Sequence, residues 1–182
     1  QADDDVTFSC TYDRCGAAST YTIGGDSTQA AVDERFKGNI FLADADATLE
    51  AFRPYLSGDS SCLIDYYVLS NSTLTEEGWA IEWSSTDNAV SSTADFQAVD
   101  QVGVIVESGL YYALVAGFRC STAEEQVDYF LDTDTTADDV GFGVRAGLVN
   151  VSGDTSTLSG AVTVANITAS ARYYMEIDVV EL

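Results

Sequence analysis

Histidine is absent from this 182-residue chain, and lysine occurs once, at Lys37. Without histidine the chain cannot form a Ser-His-Asp or Cys-His catalytic site, nor a metal site that needs imidazole ligands. A single lysine argues against Schiff-base chemistry and Ser-Lys catalysis. The short glycine motifs Gly24-Gly25 and Gly141-Phe142-Gly143 lack the strand-then-helix context that phosphate-binding loops require. The common catalytic classes are therefore disfavoured.

Basic residues are also scarce. The chain has seven lysines and arginines but 30 aspartates and glutamates, and its formal net charge is −23. Binding to phosphates needs clustered basic side chains, so nucleic acid and anionic lipid are poor partners. No apolar run approaches the roughly 18 residues of a membrane-spanning helix, and we expect no membrane insertion. The natural counterions are metal cations and salt, and the composition is similar to that of proteins from saline habitats.

A carboxylate pair is the catalytic device that this composition still permits, because glycoside hydrolysis needs only two well-placed acids. Glu82, Glu107 and Glu176 are the strand or turn acids that could form such a pair. The alternative, which we favour, is that all three are solvated residues on outward faces. We therefore expect no enzymatic activity, and a glycan-cleaving enzyme is only the third interpretation of function.

The chain has four cysteines, which is an even number. We predict two disulfides, Cys10–Cys15 closing a short loop and Cys62–Cys120 joining two core strands, and an oxidising compartment. A zinc site is the rival interpretation, but CxxC spacing and histidine are both missing. Three glycosylation sequons, at Asn71, Asn150 and Asn166, also fit a secreted or cell-surface protein.

The pattern of apolar residues indicates a single all-β domain over residues 1–182. The stretch Val102–Cys120 predicts two strands of a hairpin, with valines alternating in the first strand and Gly109 in the tight turn. About eleven strands follow one another at turn-punctuated spacing, and no long amphipathic helix occurs. We predict an antiparallel β-sandwich of the jelly-roll or Greek-key type, with residues 1–12 as an edge or exchanged strand.

Several local expectations refine this pattern. Trp79, Ile81 and Trp83 are predicted to share one face of a strand, and Tyr173–Val180 to alternate with its apolar residues inward. Residues 30–36 and 121–124 each predict a helical turn, the second from a capping-box pattern. The stretch 84–95 predicts a polar loop. The single proline, Pro54, is expected at a sheet edge or a strand end, because it cannot donate a ladder hydrogen bond.

Two segments of the chain carry a family resemblance. GNIFLADADATLEAFRPYL, followed after a Trp-containing strand by VESGLYYALVAGF, resembles secreted bacterial jelly-roll modules of the pre-peptidase and carbohydrate-binding types. The resemblance covers about residues 38–119. It implies a non-catalytic extracellular accessory or surface domain and transfers no site residues.

An aspartate-rich loop is the best candidate for a cation site. Oxygen ligands converging from a loop are what Ca²⁺ prefers, and alternating aspartates can supply them. The candidate ligands are Asp132, Asp134, Asp138 and Asp139. The alternative is a solvated acidic loop, since the glycine and the terminal glutamate of an EF-hand loop are missing.

Adjacent tyrosine pairs are the other candidate binding feature. Neighbours in a strand point to opposite faces, so one tyrosine of each pair should point away from the main core. Tyr67, Tyr112 and Tyr174 could therefore stack on sugars or fill a subunit interface. The alternative is a second packed layer or ordinary surface tyrosines.

These features predict a non-enzymatic secreted or cell-surface protein. The leading interpretation is a structural or adhesion subunit that self-associates, with Val6–Tyr12 as a strand donated to a neighbouring copy. The alternative is a carbohydrate-binding module, with calcium as a possible aid. Glycans and a second copy of the chain are therefore the expected partners.

Overall fold

A computed structural model gives the fold and describes residues 17–26, 28–32, 35–97, 101–122, 125–134, 137–152 and 158–182. This part of the chain is all β, with no helix and with fourteen strand segments in two antiparallel sheets. The predicted antiparallel β-sandwich is therefore confirmed. Cys10, Cys15 and the strand predicted at Val6–Tyr12 lie outside the described residues.

We call the larger, eight-stranded sheet sheet I. Its central strand, β4, pairs with four other strands: β14, β10 and the short segments β7 and β8. The sheet contains β1 (Ser19–Ile23), β2 (Thr28–Val32), β4 (Ala47–Gly58), β7 (Asp95–Phe96), β8 (Val104–Val106), β10 (Val127–Asp132), β13 (Arg172–Tyr173) and β14 (Met175–Glu181).

The second sheet, sheet II, has six strands in the order β12, β11, β3, β9, β5, β6. Its strands are β3 (Arg35–Ala43), β5 (Leu63–Asn71), β6 (Ala80–Ala89), β9 (Tyr111–Arg119), β11 (Gly143–Ser152) and β12 (Ala165–Thr168). The longest continuous pairing joins β5 to β9 over nine residue pairs, from Leu63↔Arg119 to Asn71↔Tyr111.

The main core lies between the two sheets. Alternating residues of facing strands are fully buried there, among them Phe41 and Tyr66 from sheet II and Phe52 and Ile177 from sheet I. The alternation predicted for the last strand is confirmed, because Tyr173, Met175, Ile177 and Val179 are buried while their neighbours are only partly buried. Burying apolar side chains between two sheets is the dominant favourable contribution to folding of this kind.

A second apolar layer covers the outer face of sheet II. Trp79, Val162 and Val164 pack there against Tyr67 and Val115. The backbones of Trp79 and Val162 exchange two hydrogen bonds of 3.1 and 2.8 Å, which fixes the segment before β12 across the sheet. The central strands β5 and β9 are consequently buried on both faces, as their nearly continuous apolar sequences require.

The predicted hairpin at Val102–Cys120 is wrong in its pairing. The turn itself is present, with Gly109 at φ 90°, and Val102, Val104 and Val106 are all buried. However, β8 pairs with β4 in sheet I, whereas β9 pairs with β3 and β5 in sheet II. The turn therefore passes the chain from one sheet to the other.

A β-bulge overturns the prediction that Trp79, Ile81 and Trp83 share one face. Val68 pairs with Trp83 and the next residue, Leu69, pairs with Ile81, so β6 contains an extra residue between them. The extra residue reverses the alternation, as bulges do. Trp79 and Ile81 join the outer layer, while Trp83 packs against the main core.

Other local expectations also change. Residues 30–32 belong to β2 and residues 35–36 to β3, so a strand replaces the predicted helical turn wherever this stretch is described. Residues 84–89 of the predicted polar loop at 84–95 form the second half of β6. Pro54 lies inside β4, opposite Met175, and its carbonyl accepts a hydrogen bond from Gln97. The capping-box turn at 121–124 lies partly outside the described residues.

The disulfide between Cys62 and Cys120 is confirmed. It links the start of β5 to the end of β9, next to the paired residues Leu63 and Arg119. The bond thus joins neighbouring strands of sheet II across a sequence separation of 58 residues.

Candidate functional site

Four half-buried aromatic side chains form one cluster on the outer face of sheet I. We call this cluster the aromatic patch; its members are Tyr55, Phe96, Phe130 and Tyr174. Tyr55 is central, with ring centroids 5.0, 5.2 and 4.8 Å from those of Phe96, Phe130 and Tyr174. Large aromatic clusters left half exposed on a sheet face commonly mark binding sites.

Backbone pairing brings the four rings together. Tyr55 lies opposite Phe96 in the pairing of β4 with β7. Tyr174, between β13 and β14, accepts a hydrogen bond from the Tyr55 amide and donates one to the Phe130 carbonyl. Tyr174 therefore joins β4 to β10, and its ring is tilted by 40° to that of Tyr55, closer to parallel than the other pairs of the patch.

A small polar cleft continues the aromatic patch along β4 and β10. Ser57 pairs with Asp128, one alternation beyond Tyr55 and Phe130 on the same face. The cleft has a volume of about 160 Å³, and its lining is polar or backbone throughout: Ser57, Gly58, Asp59, Ser92, Gln126 and Asp128. Within the cleft, the backbone N–H of Gln126 donates a hydrogen bond of 3.0 Å to the Asp59 carboxylate.

A charged group borders the opposite side of the aromatic patch. Arg53, two residues before Tyr55, pairs with Asp178 and lies 3.8 Å from Glu176. The hydrogen bond from Arg53 lowers the pKa of Asp178. A hydrogen bond of 2.7 Å from the Thr20 hydroxyl to the Asp178 carboxylate lowers this pKa further. Burial, with the nearby Asp26 carboxylate, raises the pKa of Tyr174. The surroundings of the patch are thus acidic, and Arg53 is already neutralised.

This face combines apolar and polar groups. Aromatic rings offer apolar faces to the C–H groups of a ligand, and the neighbouring cleft offers hydroxyl, amide and carboxylate groups for hydrogen bonds. Among the described residues, no side chain hydrogen-bonds to the hydroxyls of Tyr55 and Tyr174.

The predicted tyrosine sites divide between the core and this surface. Tyr67 and Tyr112 are 1% and 2% exposed, so the prediction that they stack on sugars or fill an interface is wrong. Tyr67 belongs to the second packed layer, and Tyr112 belongs to the main core with its hydroxyl bonded to the Glu107 amide. Only Tyr174 has the half-exposed position that the prediction required.

The predicted calcium loop is organised around an arginine instead. Arg172 donates to both carboxylate oxygens of Asp132 and also contacts Asp134 and Asp138. These hydrogen bonds raise the pKa of Arg172, Asp132 being the main cause. Asp139 instead accepts a hydrogen bond from the Gly141 amide. Within the described ranges, no group of three or more acidic or cysteine side chains is placed to hold a metal ion. At this loop the Arg172 guanidinium lies among the carboxylates of Asp132, Asp134 and Asp138.

The acids proposed for glycoside hydrolysis are dispersed. Glu82 is on β6 of sheet II and accepts a hydrogen bond from Ser70, while Glu176 lies beside Arg53 on sheet I. Glu107 is exposed in the link between β8 and β9. The structure therefore places Glu82 and Glu176 on different sheets.

One sequon has a defined local structure. Asn71 ends β5, where its side-chain oxygen accepts from the Thr73 amide at 3.2 Å and its nitrogen donates to the Glu77 carbonyl at 2.9 Å. The side chains of Asn150 and Asn166 lie outside the described part of the structure. The use of the three sequons stays a prediction.

Arginines in the described regions serve the fold. Arg53, Arg119, Arg145 and Arg172 each contact at least one aspartate. Lys37 is 8% exposed, and its nitrogen lies 5.8 and 5.7 Å from the ring centroids of Tyr129 and Tyr173. These basic side chains are therefore engaged in contacts within the protein.

Sequence reasoning missed three of the four patch residues. Tyr129-Phe130 is an adjacent aromatic pair like the tyrosine pairs, with Tyr129 buried and Phe130 outward. Applying the alternation argument to all aromatic pairs would therefore have found Phe130. No local signal connects Tyr55 or Phe96 to it, because strand pairing alone brings these rings together.

Neither family models nor curated proteins match this chain. Within the described residues there is also no helix long and apolar enough to cross a membrane.

Proposed function

We propose that this chain is a non-enzymatic adhesion domain, secreted or displayed at the cell surface, that binds glycans through the aromatic patch and the adjoining polar cleft. The observation that carries the proposal is the continuous outer surface of sheet I from Tyr174 and Tyr55 to Ser57 and Asp128. Sugar rings present apolar C–H faces and hydroxyl edges, and this surface offers a partner for each.

The extracellular location is supported by the disulfide between Cys62 and Cys120, since disulfides persist in oxidising compartments. The net charge of −23 also favours solubility and works against binding to phosphate-rich surfaces. The dispersal of Glu82 and Glu176 over different sheets makes a hydrolytic pair between them implausible and favours binding without cleavage.

The test is a glycan array followed by calorimetry with the ligands that bind. Tyr55→Ala and Tyr174→Ala should each weaken binding by about tenfold, because loss of one aromatic contact in a sugar site removes about 1–2 kcal/mol. Tyr21→Ala is the matched control, since Tyr21 is a partly buried tyrosine on β1 whose hydroxyl bonds to Glu181. Absence of binding to any glycan, or equal loss in all three variants, would refute the proposal.

A self-associating structural subunit is the second candidate. The observation that favours it is the open edge of sheet I at β1, which pairs only with β14 among the described residues. An open edge can accept a strand from another copy. Repulsion between subunits of charge −23 should make association stronger at high salt. Sedimentation at high salt and high protein concentration tests this candidate, and a monomer under those conditions would exclude it.

A further inference from the structure

The polar cleft next to the aromatic patch has a strongly one-sided charge. The described residues that line it include two carboxylates, Asp59 and Asp128, and no basic side chain. Asp128 is half-buried on β10 and lies one alternation from Phe130 on the same face of sheet I. If a ligand lies on the aromatic patch and extends into the cleft, the part that enters the cleft therefore lies close to Asp128.

The acidic character continues around the aromatic patch. Glu176 follows Tyr174 by two residues on β14, and the Asp26 carboxylate lies close enough to Tyr174 to influence its hydroxyl. Arg53 is the basic side chain that borders the patch, and Asp178 and Glu176 already neutralise it. An anionic sugar would meet repulsion on this surface, whereas a cationic sugar would be attracted.

From this charge complementarity we infer that the site selects glycans that contain free amino sugars, with the protonated amine of one residue bound by Asp128 in the cleft. The inference rests on the proposed glycan-binding function and specifies its ligand class. The neighbouring sugar lies on Tyr55 and Tyr174, and Gln126 and Ser57 hydrogen-bond to hydroxyl groups in the cleft. Polymers of glucosamine have this chemistry, while their N-acetylated forms are neutral and uronic acid polymers are anionic.

The experiment compares three oligosaccharides of equal length by calorimetry: a glucosamine oligomer, an N-acetylglucosamine oligomer and a galacturonic acid oligomer. The pH is mildly acidic, so that sugar amines are protonated and aspartates remain ionised. The glucosamine oligomer should bind about tenfold more tightly than the N-acetylated one, as expected for a charge-assisted hydrogen bond. The galacturonic acid oligomer should not bind.

Asp128→Asn is the decisive variant, because it removes the charge but keeps an oxygen that can accept the hydrogen bond from Gln126. It should abolish the preference for the amine, so that the glucosamine and N-acetylglucosamine oligomers bind with similar affinity. Asp44→Asn is the matched control: Asp44 is an exposed aspartate that precedes β4, at the opposite end of that strand from the cleft. The control should keep the full preference for the amine.

The outcomes separate the inference from the function on which it rests. Equal or tighter binding of the N-acetylated oligomer, lost in Tyr174→Ala, would overturn the amine selectivity and uphold glycan binding. A preference for the amine that Asp128→Asn and Asp44→Asn reduce equally would show general charge attraction and would also overturn the inference. Binding of none of the oligomers, or binding that Tyr55→Ala and Tyr174→Ala leave unchanged, would overturn both.

Discussion

Arg172 donates hydrogen bonds of 2.8 and 3.0 Å to the two carboxylate oxygens of Asp132, 40 residues earlier in the chain. The same guanidinium contacts Asp138 at 2.7 Å and Asp134 at 3.2 Å. Arg172 and Asp132 are also paired in the register of β10 with β13. One arginine thus binds three aspartates of this acidic loop and fixes them to sheet I.

Replacing Arg172 with glutamine should destabilise the protein by about 3 kcal/mol, because the variant leaves partly buried carboxylates without their cation. The measurement is the free energy of unfolding in urea, which unlike guanidinium does not screen charges. Arg53→Gln is the control, because Arg53 forms a more exposed ion pair. This variant should lose about 1 kcal/mol of unfolding free energy or less. Equal effects of the two substitutions would contradict the central role of Arg172.

The ion pair of Arg53 and Asp178 predicts a specific acid dependence. The pKa of Asp178 is lowered in the folded protein, chiefly by the Arg53 hydrogen bond. Its stabilising contribution is therefore present above the ordinary aspartate pKa of about 3.9 and disappears as the pH falls through the lowered value. Asp178→Asn should lose less stability than the parent protein between neutral pH and pH values below about 4.

Urea unfolding at a series of pH values measures this difference. Arg53→Gln should reduce the acid dependence in the same way, since it removes the cause of the lowered pKa. An unchanged pH profile in both variants would show that Asp178 has the same pKa in the folded and the unfolded chain.

Removing the disulfide of sheet II should lower stability. The double variant Cys62→Ser and Cys120→Ser should lose about 4 kcal/mol of unfolding free energy, according to the chain-entropy relation for a loop of this length. The double variant is preferable to a reductant because it leaves Cys10 and Cys15 unaltered. A loss well under 1 kcal/mol would show that the strand pairing of β5 with β9 already restricts the chain as much as the bond does.

Gly38 should tolerate no side chain. A Cβ atom at Gly38 would lie 1.8 Å from the Leu114 carbonyl oxygen and 2.8 Å from the Val115 Cα, which are backbone atoms of the neighbouring strand β9. Gly38→Ala should therefore cost at least about 3 kcal/mol or prevent folding, since backbone in the middle of a sheet cannot move aside. Thermal unfolding followed by circular dichroism measures the effect.

Gly25→Ala is the matched control for Gly38. Its added Cβ would meet only the Asp132 carboxylate, at 3.4 Å, so the melting temperature should change little. Equal melting temperatures for the two alanine variants would mean that the close approach of β3 and β9 is less tight than the structure indicates.

The sequence by itself determined the fold class and the covalent link between β5 and β9. Alternation of apolar residues fixes which side of an isolated strand is buried, and it did so correctly for Tyr173–Val179. The pairing of Cys62 with Cys120 followed from their positions at the ends of apolar strands. Composition alone also disfavoured histidine-dependent and phosphate-binding functions.

Only the tertiary structure decided which strands are neighbours and therefore which side chains meet. The turn at Gly109 is visible in the sequence, but whether β8 pairs with β9 or with β4 depends on the packing of the whole sandwich. A single extra residue in β6 likewise sends Trp83 to the main core. The second apolar layer on sheet II buries Tyr67, which alternation alone placed outward.

The candidate site depends on the same long-range pairing. Tyr55, Phe96, Phe130 and Tyr174 come from four separate parts of the chain, and hydrogen bonds between strands place their rings about 5 Å apart. The aspartates of the predicted calcium loop are visible in the sequence, whereas Arg172 meets them only because β13 pairs with β10. Periodicity specifies the faces of strands, and the partners across those faces are fixed by the packing of the two sheets.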